Sequence, residues 1–273
     1  MKPNRLIKAE PTIDGAGVKI NRIAGQGLHK LLDPYLLVDE IKSDEGQDYM
    51  AGFPAHPHRG FETIIYLIRG RMRHEDHLGH QKVMSDGGVQ WMTTGRGIVH
   101  SEMPEPSTGR FHGFQIWLNL PSAEKMIEPA YHDLSSDVLN VVEFAEGTVK
   151  MMAGTMAVNG ESYSAEFQSE IRTQPSIADL HANRLSELEL GAQPNSKLLV
   201  YVYEGHANEI PAGSIGVYDT GFARLSTTEG GFNALVLSGQ PLKEPVVQHG
   251  PFVMNTADEI KVAIQDFSTG QFV

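Results

Sequence analysis

Four residues in this chain have the types and spacing to hold a metal ion. His56 and His58 stand two apart in GFPAHPHRGFET, and His100 and Glu102 stand two apart in TGRGIVHSEMP. On a β-strand, residues i and i+2 share a face and lie about 6.5–7 Å apart along the backbone, so each pair can aim two ligand atoms at one point. Three neutral imidazoles and one carboxylate suit Fe(II), Mn(II), Ni(II), Cu(II) or Zn(II). A six-coordinate ion held by four side chains keeps two positions open, as catalytic sites do. One His-x-His is often an accident, but two such pairs in a β context are much less so. There is no cysteine, which excludes disulfides and thiolate ligands and leaves His, Asp and Glu to bind any metal.

Other polar residues near these pairs compete for roles. Glu62 shares strand parity with His58 but lies four residues on, roughly 13 Å along a regular strand. Only a bulge would bring it to the ion, so Glu102 is the favoured carboxylate. His74, His77 and His80, with Glu75 and Asp76, make a His-rich hairpin, read as a solvated loop in preference to a second metal site or a lid. His112 and Gln115 have opposite parity, so at most one faces the site. Gln115 and Trp117 share a face and can orient a ligand or pack. Arg59 and Arg96 adjoin the ligand segments, with salt bridges expected ahead of substrate contacts. His29, His132, His181, His206 and His249 are isolated and are assigned no role.

The elements that must position these groups read as strands. VKINRIA (18–24) alternates, YLLVDEI (35–41) follows a turn at Asp33-Pro34, and FETIIYLIRG (61–70) is a near-continuous apolar run suited to a strand buried on both faces. MRHEDHLGHQKVM reads as a hairpin turning at Leu78-Gly79. VQWMT (89–93) and FHGFQIWLNL (111–120) are further strands. PSAEKMIEPAYHD (121–133) is expected to be a short helix or irregular connector. Strands resume at VLNVVEF (138–144) and TVKMMAG (148–154), and SIADLHANRLSELELG leans towards strands.

The second half echoes the first. LLVYVYEG (198–205) resembles IIYLIRG, GSIGVYDTG (213–221) resembles GVQWMTTG, and FNALVLSGQPL (232–242) resembles FHGFQIWLNLP. Two β-barrel domains of one plan are expected, over residues 1–134 and 135–273. Counting from the matched glycines puts Gly191 and Gln193 at the places of His56 and His58, and Ser226 and Thr228 at those of His100 and Glu102. None is a good ligand, so the second barrel is expected to lack metal. In NTADEIKVAIQDFSTG, Thr256 and Glu259 have capping-box spacing, Ile260, Ala263, Ile264 and Phe267 share a face, and Gly270 is a stop signal. A short C-terminal helix packed on a barrel is expected.

A net charge of -12 argues against nucleic acid, whose affinity comes from Lys and Arg neutralising phosphates. No apolar run approaches the roughly 20 residues of a membrane span. The first 15 residues lack the apolar core of a signal peptide, so a cytoplasmic location is expected.

At HPHRGFET, WMTTGRGIVHSEMP and DPYLLVDE the sequence closely resembles pirin and the bacterial pirin-like proteins, and the likeness returns at SAEKMIEPAY (122–131) and GQPLKEPVVQHGPFVMNT (239–256). The resemblance implies an all-β fold of two cupin-type (jelly-roll) barrels with the metal in the N-terminal one. It implies a single ion, Fe(II) ahead of Mn, Ni, Cu or Zn, on His56, His58, His100 and Glu102. It further implies a quercetin 2,3-dioxygenase-type reaction, in which Glu102 as general base takes the 3-hydroxyl proton of a flavonol-like substrate. Dioxygen is then consumed, the heterocycle opens and carbon monoxide leaves. The alternative it carries is a non-enzymatic regulator acting through a protein partner. A monomer is the expected state.

Overall fold

The computed structural model describes residues 2–24, 27–106, 109–169, 173–183 and 185–273, apart from the side chain of Thr228. The chain forms two compact units. One comprises Pro11–His29, Tyr35–Ser136 and Lys243–Val273; the other comprises Met1–Glu10, Lys30–Pro34 and Asp137–Leu242. The division differs from the linear 1–134 and 135–273 split that the repeats suggest. The C-terminal segment belongs with the first barrel, and the strand Arg5–Lys8 pairs with Ser214–Tyr218 of the second. An apolar helical stripe fits any barrel, so sequence order alone assigned it to its neighbour.

Two antiparallel sheets form the barrel of the first unit, and a two-stranded ribbon (Val247–His249 with Phe252–Met254) adjoins its C-terminal helix. The larger runs Ala130–Leu134, Val89–Thr93, Phe61–Arg69, Phe111–Asn119, Tyr35–Ser43, Val18–Ala24 and Glu10–Asp14. The smaller runs Phe53–His58, Ile98–Pro104, Met72–Asp76 and Gln81–Met84. Alternate residues of both sheets form one core, with Ile65, Leu67 and Phe111 from the larger meeting Phe53, Met72 and Met84 from the smaller. Phe61–Arg69 is buried on both faces until its last two residues, as its unbroken apolar run requires. The segment after Pro121 is not wholly irregular. A short 3-10 turn (Ser122–Glu124) leads into Ala130–Leu134, which pairs with Val89–Thr93.

The second unit repeats this plan. Ser214–Tyr218, Lys197–Ala207, Phe222–Gly239 and Ser176–Ala182 lie in the order that Val89–Thr93, Phe61–Arg69, Phe111–Asn119 and Tyr35–Ser43 take in the first. The strands expected in SIADLHANRLSELELG are present at Ser176–Ala182 and Glu187–Gly191, with Arg184 outside the described residues. Val141–Phe144 starts three residues later than the apolar run suggests.

Counting from the glycines misplaced the interior of this barrel. Ser226 is exposed and pairs with Glu187, and the side chain of Thr228 lies outside the described residues. Leu188, Leu190, Ala223 and Leu225 are the buried residues there, paired Leu188 with Leu225 and Leu190 with Ala223. Four apolar side chains thus fill the place that a ligand set would need.

The C-terminal helix spans Ala257–Thr269, with both halves of the Thr256–Glu259 capping box made and Gly270 in the left-handed conformation at its end. Ile260 and Ala263 pack with Phe252, Met254 and Phe272. Ile264 and Phe267 stay partly exposed, so half of the expected stripe is buried. Among the described residues, no helix is long and apolar enough to cross a membrane.

Candidate metal centre

Two glycine turns hold the ligand segments side by side. Gly60 follows His58 and its N–H donates to the carbonyl of Gly95, 2.9 Å away. Both have positive φ, and a Cβ on either would meet a carbonyl oxygen at 2.1 Å (Val253 for Gly60, Ile127 for Gly95). Only glycine allows that approach. The strands beyond them then pair in register, with Ile98 opposite His58 and His100 opposite His56.

That register brings three imidazoles to one point. His56 Nε2 lies 2.9 Å from His58 Nε2 and 3.1 Å from His100 Nε2. His56 Nδ1 is 2.9 Å from the carbonyl oxygen of Pro54, which can only accept, so Nδ1 carries the proton and Nε2 the lone pair. One lone pair cannot accept well from two neighbours at once. A cation among the three nitrogens resolves the conflict, and the spacing suits one. Metal–nitrogen bonds of about 2.1 Å meeting at right angles put the nitrogens about 3.0 Å apart. Burial holds His58 and His100 well below the usual imidazole range, with neighbouring imidazoles adding to the effect. His56 is lowered for the same leading reason, so all three are kept in the neutral form that metals need.

Glu102 is fully buried beside this group and slightly apart from it. A bulge falls between His100 and Glu102, so Glu102 lies opposite Phe53. Its Oε2 accepts from Gln115 Nε2 at 3.0 Å. Its Oε1 is 3.5 Å from His100 Nδ1 and makes no hydrogen bond among the described residues. Burial pushes this carboxyl up to about 8, against the one hydrogen bond from Gln115. The four residues expected from the sequence, joined by His74, therefore fall into two groups that share His100. His56, His58 and His100 form one, and His74, His100 and Glu102 the other.

His74 corrects the sequence reading of a solvated loop. Its strand pairs with Ile98–Pro104, placing His74 opposite Glu102 with 2 % of its surface exposed. His77 and His80 of the same hairpin do reach solvent. Glu62 lies on the other face of its strand from Phe61, whose ring touches His58. It accepts from Thr93 Oγ1 at 2.6 Å, and burial pushes it up to about 7. Of His112 and Gln115, it is Gln115 that faces the site; His112 pairs with buried Glu40 at 2.9 Å. Arg96 pairs with exposed Glu128. Arg59 pairs with Asp266 at 2.7 Å and lies 4.4 Å over the ring of Phe272, tying the segment after His58 to the C-terminus.

A cavity of about 580 Å³ opens onto His56 and His58. This lies within the range of about 300–1,000 Å³ typical of small-molecule sites. Leu37, Phe53, Trp117 and Pro251 give it apolar walls, and Gln115, Arg22 and Asp14 give it polar ones. Trp117 packs on Phe61 (4.3 Å between ring centroids) and presents an edge contact to His58; its indole N–H makes no hydrogen bond. Arg22 was not singled out in the sequence. It sits in the wall with Asp39 and Asp14 as partners. A charged residue on an otherwise alternating strand, facing the Asp of DPYLLVDE, was the available signal.

With this geometry in place, comparison with known proteins is decisive for the family. Residues 17–118 match the Pirin family and residues 177–273 match the Pirin C-terminal cupin domain. A pirin-like protein of Caulobacter vibrioides is 38% identical over 281 residues, covering 98% of this chain and 98% of its own. The chain belongs to the pirin family. Its relatives also include a Pseudomonas aeruginosa protein provisionally named a quercetin 2,3-dioxygenase, 40% identical over 268 residues and covering 95% of this chain and 94% of its own. The crystal structure of a quercetin 2,3-dioxygenase from Acinetobacter baumannii superposes with a TM-score of 0.88 at 29% identity, over 99% of this chain and 98% of that one. The two-barrel cupin fold of the pirins is thus the fold of this chain.

Proposed function

We propose that this pirin-family chain holds one divalent ion, Fe(II) by preference, on His56, His58, His100 and Glu102, and uses it in a quercetin 2,3-dioxygenase-type ring opening. The observation that carries the reading is the convergence of three neutral imidazoles through their Nε2 atoms, two of them (His56 and His58) in the wall of a cavity, beside a buried carboxyl. The names of the P. aeruginosa and A. baumannii relatives support the same chemistry. The ion would supply Lewis-acid polarisation and a meeting point for substrate and dioxygen.

The protein's own groups account for the rest. Glu102 would take the 3-hydroxyl proton of a flavonol through Oε1, which makes no hydrogen bond among the described residues; a bound cation would hold the carboxyl in the ionised form that a base needs. Gln115 holds the other oxygen and fixes the carboxylate plane. Leu37, Phe53 and Trp117 give a planar aromatic substrate an apolar slot.

The test is oxygen uptake by anaerobically Fe(II)-loaded protein given quercetin, with metal content measured on the same sample. Uptake stoichiometric with quercetin loss is expected. His58→Ala and Glu102→Ala should lose it while keeping the fold by circular dichroism. No uptake by fully metallated protein would refute the enzyme reading and leave a metal-dependent regulator.

A further inference from the structure

One corner of the site is left without partners. His74 Nδ1, His100 Nδ1 and Glu102 Oε1 are buried and make no hydrogen bond among the described residues. One ring nitrogen of each histidine and one carboxylate oxygen of Glu102 lie within 4.8 Å of one another. Strand register brings them together, since Glu102 pairs with His74 and His100 with Asp76. Buried polar atoms that face each other unsatisfied are costly, so something is shared among them when the site is in use.

The outer side of His74 fixes what it can share. Asp76 Oδ2 is 3.0 Å from His74 Nε2 and 2.8 Å from His80 Nδ1, while Asp76 Oδ1 takes the backbone N–H groups of Leu78 and His80 at 3.0 Å each. An ionised carboxylate only accepts, so both of those imidazole nitrogens carry protons. His74 therefore presents a lone pair at Nδ1 to the interior. Tyr131 stacks on His74 and on His80, each at 4.9 Å between ring centroids, and so fixes the ring plane. His100 is oriented the other way round. Its Nε2 faces His56, so when that nitrogen gives its lone pair to an ion, its proton must sit on Nδ1 and needs an acceptor.

We infer that His74 is a positioning residue of the metal centre: its ring lies 5.4 Å from that of His100, and when His100 Nε2 gives its lone pair to an ion, His74 Nδ1 is the acceptor that draws the Nδ1–H of His100 away from Glu102 Oε1, 3.5 Å from it, so setting that ligand's tautomer and ring plane. The inference rests on the metal-centre reading above. Histidine ligands are generally held by such an outer acceptor, and losing it weakens metal affinity roughly 10–100-fold. Here the acceptor is itself held by Asp76, whose other imidazole partner, His80, reaches the surface.

The experiment is Zn(II) affinity of the full chain, stripped of metal and titrated against a chromophoric chelator, with the Co(II) absorption spectrum as a second readout. His74→Phe keeps a ring for Tyr131 and removes both nitrogens. It is expected to raise the Zn(II) Kd roughly 10–100-fold and alter the Co(II) spectrum, and His74→Gln, which restores an acceptor, is expected to recover most of the affinity. A His74→Phe Kd within twofold of wild type overturns the inference, whatever its effect on thermal stability. If that variant does not fold, Asp76→Asn decides, because Asn can donate to His74 Nε2 and move the imidazole proton to Nδ1. A roughly tenfold loss supports the inference and an unchanged Kd refutes it. His58→Ala separates the two levels. If it binds Zn(II) as tightly as wild type, the metal-centre reading falls and this inference with it; if it loses binding while His74→Phe does not, only the role of His74 falls.

Discussion

Replacing Glu102 by Gln removes a buried titration while keeping shape and one hydrogen-bonding oxygen. Burial raises the Glu102 carboxyl from 4.5 to about 8. In metal-free protein the folded state therefore keeps a proton that the unfolded chain gives up above pH 4.5. The resulting stability is fully present below that pH, declines as pH rises, and is gone above about 8. At about 1.36 kcal/mol per pH unit across this window, wild type loses about 4 kcal/mol from this one group between pH 5 and pH 8.5. Gln at position 102 has no such loss. Relative to wild type, metal-free Glu102→Gln is expected to gain about 4 kcal/mol over that interval, or roughly 10 °C in Tm for a chain of this size. Other titrating groups, Glu62 among them, are common to both proteins and cancel. A bound cation reverses the sign, because it favours the carboxylate, so Zn(II) should raise the Tm of wild type more than that of the variant. Differential scanning calorimetry with EDTA at both pH values, and with Zn(II) at the higher, reads each effect. If the metal-free variant gains nothing on wild type between pH 5 and 8.5, Glu102 is not an uncompensated buried acid and the argument for its basicity fails.

Two further substitutions test how the site is framed. Lys125 is 1 % exposed, and its Nζ donates to Gly60 O, Asn119 Oδ1 and Val253 O. Lys125→Met strands these acceptors and is expected to cost about 3 kcal/mol by urea denaturation. Burial lowers Lys125 to about 7, below its unfolded value, so wild type gains stability from pH 7 towards 10.5 and the variant's deficit should widen there. Arg59→Met removes the Asp266 ion pair and the Phe272 contact, and is expected to cost about 3 kcal/mol. Hydrogen exchange should show the loss concentrated in residues 252–273; an even loss across the chain would contradict the anchoring role.

Much of the site was legible because strand geometry is local. The i, i+2 rule paired His56 with His58 and His100 with Glu102, and alternation put Gln115 and Trp117 on one face and His112 on the other; the structure turns the Gln115 face to the site. The internal echo gave two barrels. What period and count could not supply was register. The second barrel's interior fell on Leu188, Leu190, Ala223 and Leu225 because pairing, not distance from a glycine, decides which residues face inwards.

The sequence by itself determined the residue types of the candidate metal centre, the glycine turns that let two strands approach, the capped C-terminal helix and the family. Each depends on neighbours within a few residues or on a motif read whole. Tertiary structure alone decided that His74 comes to lie against Glu102, that a bulge sets Glu102 beside the three nitrogens, and that the C-terminal segment returns to the first barrel. Those outcomes join residues 28 to about 200 positions apart, and they follow from which strand edges pair and which apolar surfaces meet, neither of which a local pattern carries.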